Sequence, residues 1–253
     1  MAGREPTGIE GFDELVEGGL PRGSVVLVSG SPGTGKSIFA QQFAHTGAQQ
    51  FKEKSLYISF EQNVTEIYEQ AKRFGWDFEK LEAQGAVRFI FIDITKRHLE
   101  KEQTYIDVIR QHIREFNPKR VVIDSLSPLA DMPVSPDELM SYGLISEISS
   151  FMPNITPEVM TRFQVHRLIM MLKEFPATSI IISEIPKESV WFSSDRVSEF
   201  MSDGVIVLHY LGIGSSTTRS LIIEKMRGTK HTEDILPMEI TKSGIVIRKE
   251  SGL

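Results

Sequence analysis

The residues Gly30-Ser31-Pro32-Gly33-Thr34-Gly35-Lys36-Ser37 place glycine, lysine and a hydroxyl in the spacing G-x-x-x-x-G-K-[ST]. Glycines let successive backbone N–H groups turn toward one centre, which suits an anion. Lys36 adds a point charge for the β and γ phosphates of a nucleotide. The Ser37 hydroxyl is a hard oxygen donor of the kind Mg²⁺ prefers. With glycine at about 7% of residues, a chance match in a chain this long has odds on the order of one in a hundred. The predicted nucleotide-binding set is Ser31, Pro32, Gly33, Thr34, Gly35, Lys36, Ser37 and Ile38, with ATP and Mg²⁺ as ligands.

Such a loop works with carboxylates brought from other strands. Val121-Val122-Ile123-Asp124 is apolar and ends in an aspartate. In P-loop NTPases an aspartate at this point holds the Mg²⁺ shell beside the loop's Ser or Thr. Asp124 and Ser37 are therefore the predicted metal residues, Asp124 acting through water. Glu61 follows the apolar run Ser55–Phe60. A carboxylate there faces the γ-phosphate, where a general base must reach the attacking water. Glu61 and Lys36 are the predicted catalytic residues; the plainer reading of Glu61 is a solvated charge at a strand end.

The loop requires a strand before it and a helix after it. Ser24–Gly30, Ser55–Phe60, Val87–Asp93, Arg120–Asp124 and Thr178–Ser183 are short, mostly continuous apolar runs, as parallel strands covered on both faces should be. Between them Lys36–Gln50 reads as a helix. Ile106, Ile109, Ile113 and Phe116 share one helical face, which ends before Asn117-Pro118. Alternating strands and helices imply right-handed crossovers and a mostly parallel sheet. Beyond residue 203 the runs Val205–Leu211, Ser220–Met226, Leu236–Ile240 and Ile245–Arg248 read as an antiparallel meander on one sheet edge. The expected architecture is α/β over a single domain, 1–253. It comprises an entry segment (1–23), an α/β core (24–203) and a β-meander (204–253).

The chain has 253 residues, 40% hydrophobic and 25% charged, which is ordinary for a globular protein. It contains no cysteine, which excludes disulfides, thiolate zinc sites and cysteine nucleophiles. The formal charge of −6 argues against nucleic acid as the main ligand. No apolar run approaches a membrane span and no leader is visible at the start, so a cytoplasmic location without membrane contact is expected.

Five ordered segments resemble the KaiC family of ATPases within the RecA superfamily. They are Thr7–Leu15, Gly18–Gly23, Phe74-Gly75-Trp76-Asp77, Glu199–Asp203 and Lys225–His231, standing around the P-loop. The resemblance implies a RecA-like P-loop core and assembly into homo-oligomeric rings, commonly hexamers, with ATP between subunits. Glu61 matches the family's catalytic glutamate, although Gln62 stands where a second glutamate is frequent. Lys225, Arg227, Thr229 and His231 match residues that act in trans on a neighbour's nucleotide. Alternation in a strand gives this its own logic, because Lys225, Arg227 and Thr229 would share a face with Met226 opposite. Charged residues that deter edge-strand aggregation are the competing explanation. The positions matching the phosphorylated pair of clock members are Glu199 and Phe200, so autophosphorylation is not expected there. The length has room for one such domain, not two.

Other features discriminate less. His45, His98, His112, His166 and His209 lack metal-ligand spacing, and Met170-Met171-Leu172 reads as core packing. Trp191-Phe192 lies where recombinases contact DNA, yet the charges of 186–200 sum to −1, which disfavours phosphate. The stretch 131–155 is acidic with an apolar stripe and is a candidate surface for a regulatory protein partner. The leading expectation is Mg-dependent ATP binding and hydrolysis in a regulatory ring. The alternatives are a nucleotide-responsive scaffold with little turnover and a RadA-paralogue-like DNA repair accessory protein.

Overall fold

A computed structural model describes residues 3–93, 104–131, 156–186, 189–213 and 216–248. The candidate partner segment 131–155 lies, from residue 132 on, outside the described residues, as do Lys187 and Glu188.

Described strands are β1 (Arg4–Glu5), β2 (Leu20–Pro21), β3 (Val25–Gly30), β4 (Ser55–Ser59), β5 (Val87–Phe91), β6 (Arg120–Asp124), β7 (Thr178–Glu184), β8 (Gly204–Ile213), β9 (Ser216–Met226), β10 (Leu236–Thr241) and β11 (Gly244–Ile247). The helices are α1 (Lys36–Gln49), α2 (Val64–Lys72), α3 (Phe78–Ala83), α4 (Tyr105–Phe116), α5 (Pro157–Lys173) and the single turn α6 (Ser198–Met201). The main sheet runs β11-β10-β9-β8-β3-β7-β6-β4-β5. Strands β3 to β8 run parallel to one another, and the β8–β9, β9–β10 and β10–β11 pairs are antiparallel. The expected mostly parallel sheet with a C-terminal antiparallel extension is therefore present. Strand β8, read as the start of the meander, is parallel to β3, so antiparallel pairing begins only at β9.

Side-chain alternation splits each core strand between two layers. Val26 and Val28 of β3 pack with Phe39, Phe43 and Ala44 of α1 and with α2 and α3. Val25 and Leu27 face the other way, onto Ile106, Ile109 and Ile113 of α4 and Val165, Leu168 and Ile169 of α5. Burial on both faces is why these strands read as unbroken apolar runs. Helix α4 starts in a capping box, Thr104 accepting from the Asp107 N–H and Asp107 from the Thr104 N–H. It stops at Asn117 in the left-handed conformation. In α5, Met171 and Leu172 are core as expected, but Met170 is 47% exposed. A run of three apolar residues on a helix turns through 200°, so one must face away from the core.

At the lower end of β6, Arg120 is fully buried. Its guanidinium meets Glu53 at 2.8 Å and Glu5 at 3.5 Å, and donates to the carbonyls of Pro6 and Phe43 at 2.7 and 3.0 Å. The charge is thus fully compensated where it is desolvated.

His45 of α1 stacks on Trp76 with centroids 5.6 Å apart. Burial pushes its pKa down from 6.5 to about 4. Between these values the unfolded chain takes up a proton that the native chain refuses. This part of the stability is therefore complete above 6.5 and is lost as pH falls toward 4. His45→Gln should flatten that limb, so its melting temperature should fall less than the wild type's across the same window. Parallel acid limbs for the two proteins would contradict this.

Candidate functional site

The sheet register gathers the predicted site at the carboxyl ends of the parallel strands, where open α/β sheets bind ligands. Gly30 ends β3 opposite Glu184 of β7 and Leu208 of β8. Asp124 ends β6 opposite Ser59 of β4, two residues before Glu61.

The P-loop joins β3 to α1 as expected. A Cβ at Gly30 would lie 2.3 Å from the Leu208 carbonyl oxygen, so only glycine lets β3 pass β8 here. Gly35, with φ 110°, caps α1 in a conformation costly to other residues. Lys36 is buried and extends back over the loop, donating to the carbonyls of Gly30 and Ser31 at 2.9 and 3.0 Å. Its Nζ lies 3.8 Å from Glu184. Burial pushes the Lys36 pKa down, against the opposing pull of Glu184, Asp124 and Glu61. Those carboxylates and the lysine thus form one electrostatic cluster.

Asp124 is buried. Desolvation raises its pKa, opposed by hydrogen bonds from Tyr57 and Ser37. The Tyr57 hydroxyl donates to Asp124 Oδ2 at 2.5 Å. Tyr57 is itself fully buried, and burial followed by the Asp124 charge raises its pKa well above the usual tyrosine value. Glu61 is exposed beside this pair, and the Ser125 hydroxyl donates to its Oε1. Ser37 and Asp124 are hard oxygen donors in mutual contact, which fits Mg²⁺.

Ile38 of the predicted set lines a cleft of about 530 Å³ with Arg73, Phe74, Ile240, Thr241 and Lys242. It adjoins the first turn of α1. Sequence reading missed Tyr57 and Glu184, which arrive through strand register, and this cleft, which needs α1, the end of α2 and β10 brought together.

Lys225 and Arg227 lie at the other end of the strands. Met226 pairs with Gly204, which pairs with Val26, four residues before Gly30, or about 13 Å along the sheet. Between Val205 and Ile206 the ladder slips by one residue, skipping Glu224; such bulges re-aim neighbouring side chains. Lys225 Nζ donates to the carbonyls of Ser202, Glu199 and Phe200 at 2.6, 3.1 and 3.2 Å. Arg227 Nη1 lies 3.3 Å from Asp203. Asp203 also accepts from Lys173 at 2.8 Å and from the Val25 N–H at 3.0 Å. Strand β9 stops at Met226, so the alternation expected to carry Thr229 does not reach it. Gly228, at φ 65°, makes a turn, and Thr229 accepts from Arg4 Nη1 at 2.6 Å. His231 Nδ1 lies 2.9 Å from the Thr232 carbonyl oxygen.

In the candidate DNA loop, Trp191 packs edge-on to Phe200, with centroids 6.2 Å apart. Asp195 accepts from the N–H groups of Val197 and Ser198. Among the described residues no group of three or more His, Asp or Glu could hold a metal, and no helix is long and apolar enough to cross a membrane.

A parallel sheet ending in this loop, with an aspartate strand two places away, defines a P-loop protein of the RecA-like kind. A family model for the KaiC ATPase matches residues 5–141 and 141–252. A UPF0273 protein of Pyrococcus furiosus is 34% identical over 267 residues, covering 100% of this chain and 97% of its own. The circadian clock oscillator protein KaiC of Parathermosynechococcus lividus is 30% identical over 249 residues, covering 96% of this chain and 42% of its own. The crystal structure of a KaiC-like protein from Pyrococcus horikoshii OT3 superposes with a TM-score of 0.80 at 30% identity, covering 98% of this chain and 100% of its own. The chain belongs to the KaiC ATPase family.

Proposed function

We propose that this chain binds Mg-ATP at the P-loop and hydrolyses it at the subunit interfaces of a homo-oligomeric ring, a hexamer being favoured. The observation that carries the reading is the convergence of Lys36, Ser37, Asp124 and Glu61 at one end of the sheet, with Lys225 and Arg227 at the other. Two cations that cannot serve their own P-loop are suitably placed to serve a neighbour's. In this reading Ser31–Ser37 wrap the phosphates and Lys36 neutralises them. The cleft beside Ile38 takes the base, with Ile240 and Phe74 as apolar contacts and Arg73 and Lys242 at its rim. Ser37, and Asp124 through water, would hold the metal. Mg²⁺ would offset charge on the phosphate oxygens. Glu61 orients and deprotonates the attacking water. Lys225, Arg227, Thr229 and His231 approach from the adjacent protomer.

Two observations favour a second reading, a nucleotide-responsive scaffold with little turnover. The Ser125 hydroxyl occupies a Glu61 oxygen that the water would use, and Gln62 replaces a second acidic group.

Lys36→Ala decides the site, and turnover decides between the readings. The variant should lose at least tenfold in affinity for Mg-ATP, because it removes a charge-assisted contact. The wild type should release phosphate steadily at saturating ATP. Unchanged binding by Lys36→Ala would remove the P-loop from the reading; tight binding without phosphate release would leave the scaffold.

A further inference from the structure

The β8–β9 ladder ends beside the P-loop, and two of its side chains reach the loop's tip. Tyr210 and Arg219 are direct cross-strand partners. The Tyr210 hydroxyl donates to the Gly33 carbonyl oxygen at 2.6 Å, and Arg219 Nε and Nη2 each approach that oxygen at 3.4 Å. Arg219 Nη2 also donates to the Tyr210 hydroxyl at 3.3 Å, with the guanidinium carbon 5.2 Å from the ring centroid. Tyr210 is 42% exposed. Its hydroxyl therefore has water as an alternative partner, so this contact is not forced by burial.

The grip falls where the loop is least able to hold itself. Gly33 has φ 79°, and a residue without Cβ resists peptide rotation poorly. A peptide group is planar and trans, so its C=O and the next N–H point in opposite directions. Fixing the Gly33 carbonyl toward β8 therefore fixes the Thr34 N–H on the inner side. That N–H, the Thr34 hydroxyl and Lys36 Nζ all converge on the Ser31 carbonyl oxygen, at 3.4, 2.8 and 3.0 Å. The donors a phosphate would need are thus gathered on one side of the loop, while Tyr210 and Arg219 hold the other.

We propose that Tyr210 and Arg219 are positioning residues for the P-loop, holding the Gly33–Thr34 peptide in the orientation that presents its N–H to a phosphate. They act through the Gly33 carbonyl and not on the nucleotide. Their effect is preorganisation, which removes an ordering cost from binding. The proposal rests on the P-loop being the nucleotide site.

The test measures affinity for Mg-ATP by calorimetry, melting temperature without nucleotide, and phosphate release at saturation, with Lys36→Ala as control. Tyr210→Phe deletes only the hydroxyl. It should weaken binding roughly five- to tenfold, the worth of one hydrogen bond, with melting temperature unchanged and saturated turnover within about twofold. Arg219→Gln should weaken binding in the same direction. The double variant should lose less than the two single losses combined, because both act on one oxygen. Wild-type affinity in Tyr210→Phe, with binding abolished in Lys36→Ala, would overturn the proposal and leave the site intact. A defect in Arg219→Gln alone would place the arginine on the nucleotide itself and equally overturn it. Affinity loss that tracks a lowered melting temperature would mark a merely structural role. Unimpaired binding by Lys36→Ala would instead sink the P-loop reading on which the proposal rests.

Discussion

Glu61→Gln is expected to lower phosphate release by roughly 10²- to 10⁴-fold while leaving nucleotide affinity nearly unchanged. The separation follows from where the contacts lie. In the proposed reading phosphate binding depends on the backbone of Ser31–Ser37 and on Lys36, none of which bonds to Glu61 among the described contacts. Glu61 sits across the cluster, exposed to solvent and held by the Ser125 hydroxyl. Glutamine keeps the side chain's length and an oxygen that can accept from Ser125, so the change removes basicity and little else. Equilibrium binding and steady-state phosphate release on the same preparation read the two effects separately. Wild-type release by the variant would take Glu61 out of the mechanism. A large loss of affinity would mean that it contacts the nucleotide in the ground state.

The second large effect concerns Arg227. Arg227→Ala should cost on the order of 10³-fold in turnover if the residue acts as an arginine finger, with binding through Lys36 largely kept. In the single chain Arg227 reaches Asp203, and it lies far along the sheet from its own P-loop. A residue so placed would, as a finger, serve another copy. Mixing Arg227→Ala with Lys36→Ala should therefore restore part of the activity, because some interfaces then pair an intact P-loop with an intact finger. A fall of less than threefold in Arg227→Ala, within the spread of a surface substitution, would remove the finger. A structure of the assembly with Arg227 distant from every nucleotide would do the same.

The sequence made the P-loop legible because its parts are contiguous: eight residues carry the glycines, the lysine and the hydroxyl. The parallel core was legible for a related reason, since strands buried on both faces cannot hide their apolar runs. Asp124 and Glu61 stood out because one ends such a run and the other follows one, and the sheet brings both near Lys36. Tyr57 gave no such signal. It stands in the middle of β4, and only the pairing of β4 with β6 brings its hydroxyl to Asp124. Glu184 faces Gly30 for a similar reason, and the cleft beside Ile38 needs β10 laid near α1. The shared face expected of Lys225, Arg227 and Thr229 carried strand periodicity past Met226, where β9 ends, and through the turn at Gly228. The glycine itself was the available warning. The Met170 error came from treating an apolar triplet as one surface, although a helix spreads three successive residues over more than half its circumference.

Strand β9 now has a meaning beyond its place in the sheet. Near one end Arg219 touches the tip of the chain's own P-loop, and at the other Lys225, with Arg227 just beyond the strand, ties back to Ser202 and Asp203. Six residues separate Arg219 from Lys225, about 20 Å of extended chain. An extended strand has little give along its length, apart from the bulge at Glu224. In a ring of such protomers every site would stand between two of these struts, touched by its own and pushed by its neighbour's. A shift of one strut along its axis would then be felt at two sites together.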